Sequence, residues 1–148
     1  MKKYILFLIP LMVYLMSGCA KTENPDPNID DQSSTIRTWD EDFELTIGET
    51  VRIEPGDLII EATDISEDSR CPSKVVCVWA GRVTVQLEIE YLGIQHSVAL
   101  SIGGSQESDA VIIDDIEVKL LSVLPYPEEP GGIEKEDYII ILKVQETV

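Results

Sequence analysis

Histidine occurs once in this 148-residue chain, phenylalanine and tryptophan twice each, and these scarcities already exclude a good deal. A Ser-His-Asp triad would have to use His96, and no G-x-S-x-G elbow accompanies any serine. Basic residues are also few, 11 Lys and Arg against 28 Asp and Glu, a formal charge of −17. Such an excess repels phosphate backbones and anionic headgroups, so no nucleic-acid partner is expected. Its ordinary use is solubility, although acidic surfaces also attract Ca²⁺ or basic partners. The three cysteines include no C-x-x-C pair, so a thioredoxin-like redox site lacks its motif. No stretch shows a convincing 3.6-residue apolar stripe.

What is present begins with Lys2-Lys3, an apolar run from Tyr4 to Leu15, and Leu15-Met16-Ser17-Gly18-Cys19. This arrangement resembles the signal peptide and lipobox of a bacterial lipoprotein, with Met16 where Leu is commoner. The run is short for a transmembrane helix, which needs about 20 apolar residues. The resemblance implies that residues 1–18 are removed and that Cys19 carries a diacylglyceryl group and an acylated amine. Each buried methylene contributes about 0.8 kcal/mol, so several chains attach a protein permanently where one does not. The expected location is the bacterial cell envelope, lipid-anchored in the outer membrane and facing either the periplasm or the cell surface. The leader holds two Lys and no acid, so 9 basic residues then stand against 28 acidic ones, a formal −19.

With Cys19 assigned to lipid, Cys71 and Cys77 remain in an oxidising compartment, and an even remainder implies a disulfide. The alternative, a zinc site built from these two and His96, lacks a paired ligand motif. Residues 20–42 are rich in Pro, Asn, Asp and Ser, so residues 19–42 are expected to form the lipidated Cys and a flexible acidic tether, with Trp39 docking back onto the domain. About 20 such residues have a reach of roughly 25 Å. Glu23, Asp26, Asp30 and Asp31 resemble, loosely, signals that send some bacterial lipoproteins to the cell surface.

From residue 43 to 148 the period is two. Phe43, Leu45 and Ile47, then Val51 and Ile53, lead to Pro55-Gly56, which suits a type II turn. Leu58, Ile60 and Ala62 follow; Val83 to Tyr91 and Ile94 to Ile102 suit a hairpin around Gly93, with His96 a satisfied rim residue. Strands are also expected over residues 110–113, 116–124 and 138–145. About eight short strands predict an all-β fold, an antiparallel β-sandwich of immunoglobulin-like architecture or a flattened barrel.

Residues 68–81 read DSRCPSKVVCVWAG, with both faces of Val75 to Trp79 apolar, as in a strand covered on both sides. Cys71 and Cys77 lie too close in sequence for the immunoglobulin disulfide. The segment resembles a family of uncharacterised bacterial secreted proteins and lipoproteins bearing a D-S-R-C-P…C-V-W-A-G signature. The resemblance extends over most of residues 43–146, including Leu121-Ser122-Val123-Leu124-Pro125-Tyr126-Pro127, and implies a fold without implying a chemistry. Arg82 departs from it by placing a charge after the glycine.

Arg70, beside Asp68, is expected to form an ion pair or to fork onto loop carbonyls. The sharper reading has the stapled loop present Arg70 and Lys74 to a partner, and the connection from Pro125 to Gly132 is read either as a recognition loop displaying Tyr126 or as a crossover with Tyr126 folded onto the core edge. Asp64, Glu67 and Asp68 are the candidate oxygen ligands for Ca²⁺, and Asp114-Asp115 and Asp40 to Asp42 are others, but none forms a D-x-D-x-D-G loop. The expected function is a lipid-anchored, non-catalytic binding module, monomeric and free of cofactor, with the membrane and an unidentified protein or small molecule as partners. The rivals are a protease inhibitor using the stapled loop and a calcium-dependent or hydrolytic enzyme using acidic loops.

Overall fold

The computed structural model describes residues 35–104 and 108–147. The leader, Cys19 and most of the expected tether lie outside these residues. Among the described residues nine strands form two sheets: β1 (Thr35–Thr38), β2 (Asp42–Thr46), β3 (Thr50–Glu54), β4 (Leu58–Asp68), β5 (Arg82–Tyr91), β6 (Ile94–Gly103), β7 (Ala110–Ile113), β8 (Ile116–Leu124) and β9 (Ile139–Glu146). One sheet has the order β1-β3-β4-β5-β6 and the other β2-β9-β8-β7. The expected all-β sandwich is the fold.

Alternation explains the sheets. On β5, Val83, Val85, Leu87 and Ile89 are buried while Thr84, Gln86, Glu88 and Glu90 lie on the other face. On β9, Ile140, Leu142 and Val144 face them across the core. A one-residue slip would turn all of these outward, so burial sets the register. Bulges then change which residues point inward: a shift at Leu120/Ser122 exposes Leu121 and buries Val123. The β5–β6 hairpin closes through Leu92 and Gly93, both at positive φ as in a type I′ turn.

Three expectations are corrected. The tether does not run to residue 42: Thr35–Thr38 pair in parallel with β3, and Asp40 N donates to Val144 O at 2.9 Å. The β1 segment Thr-Ile-Arg-Thr leaves Ile36 exposed and so shows no apolar inner face to read. Trp39 docks as expected, donating from Nε1 to Pro55 O at 2.7 Å and packing on the core. A Cβ at Gly56 would sit 3.3 Å from that indole, and Gly56 has φ 147°, so the turn is not type II. Third, β4 does not stop at Ala62: two bulges carry it on through polar residues to Asp68, the strand's far end.

Candidate functional site

The loop between β4 and β5 is a closed ring on a locked stem. Ser69 N donates to Arg82 O at 2.8 Å and Cys71 N to Ala80 O at 3.0 Å, extending the strand ladder into the loop. The Cys71–Cys77 disulfide, with Cα atoms 5.9 Å apart, closes the ring as expected. These two cysteines are therefore not thiolate ligands for zinc. Gly81 lies at φ 69°, and a Cβ there would come within 1.8 Å of Ser69 O, so only glycine allows the stem to close this tightly.

Arg70 anchors that stem to both sheets. Its side chain is 7% exposed and grips Asp68 with two bonds, Nε to Oδ1 at 2.9 Å and Nη2 to Oδ2 at 2.6 Å. Nη1 donates to Val123 O at 2.6 Å and Nη2 to Pro125 O at 3.1 Å, which ties the end of β4 to the end of β8. Tyr138, just before β9, donates its hydroxyl to Asp68 Oδ2 at 3.0 Å. Burial alone would raise the Asp68 carboxyl, but bonds from Arg70 and Tyr138 outweigh it and hold the group below the usual carboxylate range. Burial, then Asp68, push the Tyr138 hydroxyl up to about 12. The ion pair with forked carbonyl bonds is thus the role of Arg70, which correspondingly is not presented to a partner.

Lys74 and Tyr126 are solvent-facing but engaged. Lys74 bridges Glu128 at 2.9 Å and Glu129 at 3.1 Å, and these carboxylates hold its ammonium above the usual range. Backbone bonds from Ser73 N to Pro127 O and from Lys74 N to Glu128 O join the ring to the proline-rich connection. Tyr126 is half exposed, with the Arg70 guanidinium 5.3 Å from its ring centre.

The calcium candidates do not converge. Asp64 pairs with Lys135 at 2.6 Å, Glu67 with Arg82 at 2.8 Å and Asp68 with Arg70, so each carboxylate has its own cation. Asp64 and Glu67 are both lowered from the usual range, chiefly by those hydrogen bonds. Among the described residues no three His, Cys, Asp or Glu side chains form a group able to hold a metal. Asp115 instead accepts from Tyr91 at 2.7 Å. His96 is half-buried, and its Nε2 has no partner among the described residues, so the expected satisfied rim histidine is not found.

The greatest departure from expectation is Val75 to Trp79. Instead of a strand covered on both sides, this is an exposed loop: Val76 is 101%, Val78 89% and Trp79 80% accessible. A ring closed over the seven residues from Cys71 to Cys77 and turned back by Gly81 cannot lie along a sheet, and the cysteine and glycine spacing carried that signal. Beside Trp79 lies an open cleft of about 520 Å³, lined also by Glu67, Ser69, Gly81, Arg82 and Gly104.

No family model, curated protein or solved structure matches this chain. The chemistry of this end of the sandwich therefore rests on its own side chains. Exposed apolar groups, a neutralised ion pair and an open cleft stand together there.

Proposed function

We propose that this protein is a lipid-anchored lipoprotein of a bacterial envelope whose sandwich serves as a non-catalytic binding module through the stapled-loop end. The observation that carries the reading is the exposure of Val76, Val78 and Trp79 on a loop whose stem is locked by the disulfide, Gly81 and buried Arg70. Exposing apolar groups on a pre-ordered loop is unfavourable in isolation and lowers the ordering cost of binding, the usual arrangement of an interaction surface. Anchoring rests on the lipobox-like Leu15 to Cys19, because a chain this acidic repels anionic headgroups. The module needs no cofactor and works as a monomer.

The test has two parts. Intact-mass analysis of the chain from its native envelope should find acyl groups on Cys19, and Cys19→Ser should release it from membranes. A photo-crosslinker at residue 78 should then give a discrete adduct in cells that one at exposed Ile112 on β7 does not; equal labelling at both positions overturns the binding role. The calcium rival predicts a melting shift on Ca²⁺ titration that Asp64→Asn with Asp68→Asn removes. The inhibitor rival predicts tight, loop-dependent inhibition of a peptidase.

A further inference from the structure

We propose that the cleft between Trp79 and the Glu67–Arg82 pair is a site for a neutral carbohydrate, an inference that rests on the binding-module reading and names its ligand class. Trp79 is 80% accessible although tryptophan offers the largest apolar surface of any side chain. Its position does not come from packing. It comes from the disulfide two residues before it, from the Cys71 N to Ala80 O bond after it, and from Gly81. The backbone beneath the indole is thus held, and the ring stands bare at the cleft wall.

The same cleft is lined by polar groups arranged in pairs. Glu67 Oε2 accepts from Arg82 Nε at 2.8 Å, and Glu67 Oε1 accepts from Ser69 Oγ at 3.1 Å. Ser69 Oγ in turn lies 3.2 Å from Arg82 N. Only Nε of the Arg82 fork is engaged among the described residues, so Nη1 and Nη2 remain as donors beside the carboxylate's remaining lone pairs. A donor and an acceptor side by side match adjacent sugar hydroxyls, each of which accepts and donates. Gly81 and Gly104 form part of the wall without side chains, and about 520 Å³ falls within the roughly 300–1,000 Å³ of small-ligand sites.

Charge selects among ligands. The Glu67–Arg82 pair is neutral in sum, so neither member is left to neutralise an ion. An anion would meet the field of a −17 chain, and a cation would meet the Arg82 fork. A wholly apolar ligand would strip water from the ion pair without replacing its hydrogen bonds. A saccharide has an apolar C–H face for the indole and hydroxyls at its edge for the pair, and it carries no charge.

The experiment titrates the full chain with cellohexaose, xylohexaose, mannohexaose and maltohexaose, following tryptophan fluorescence and heat. A galacturonate hexamer and a chitosan hexamer serve as anionic and cationic comparators. At least one neutral hexasaccharide should bind and change the emission, and the change should persist in Trp39→Phe. Trp79→Ala should weaken binding by about tenfold or more, the effect of an aromatic anchor. Glu67→Gln should weaken it as well, while both variants keep the parent melting temperature to within a few degrees. Should none of the four bind, should Trp79→Ala bind as the parent does, or should a charged hexamer bind as tightly, the inference is overturned. A discrete crosslink at residue 78 alongside failure with all four sugars overturns the ligand class while leaving the binding module standing; loss of both overturns both.

Discussion

At the scale of single residues, the Arg70–Asp68–Tyr138 cluster holds the two sheets together at the stapled-loop end. Side-chain exposures of 7% and 12% make Arg70–Asp68 a largely buried ion pair at the edge of the core. Removing one partner of such a pair strands the other charge and costs about 3–5 kcal/mol. Arg70→Ala is therefore expected to lower the unfolding free energy by about that amount in urea denaturation, whereas exposed Lys74→Ala should change it little. Tyr138 adds a pH signature. The folded chain holds its proton to about 12 while the unfolded chain releases it near 10.0, so this contribution is full below pH 10 and lost as pH rises toward 12. Tyr138→Phe should flatten that alkaline fall in a plot of denaturation midpoint against pH. The pairing of Arg70 with its sequence neighbour Asp68 was legible in the sequence. Its bonds to Val123 and Pro125, more than fifty residues away, required the sheets to meet.

At the scale of elements, the stapled loop is an addition to the sandwich and not part of its core. In the chain-entropy description a ring of about seven residues stabilises by roughly 2 kcal/mol. Replacing Cys71 and Cys77 together by Ser should lower stability by about that amount with an unchanged urea m-value, because no core surface depends on the ring. The same variant should bind any ligand of the Trp79 cleft more weakly, since the platform loses its restraint. The long strands could be read because their inner residues are strictly apolar. β1 and the outer half of β4 could not, since one is a polar edge and the other is interrupted by bulges that reset the period. Val75 to Trp79 misled for the converse reason. Apolar residues on both faces are what a doubly covered strand requires, and composition does not tell whether a cover exists.

For the whole molecule, charge is the dominant feature. With 28 acids against 11 bases, self-repulsion opposes compaction, and the exposed ion pairs return little. Raising the salt from about 0.01 M to about 1 M shortens the Debye length from roughly 30 Å to roughly 3 Å. The melting temperature should therefore rise with NaCl in a thermal scan, and a fall would show that paired charges outweigh repulsion. Period-two alternation, turn residues and the cysteine count by themselves determined the all-β class, the main strands and the disulfide, since each is read from the order of residues along the chain. Which carboxylate meets which cation, that Arg70 is buried, and that Trp79 stands bare beside Glu67 and Arg82 were decided only when two sheets closed and a short covalent ring was left outside them. Contacts of that kind depend on distance in space, which burial of the core sets and local pattern does not contain.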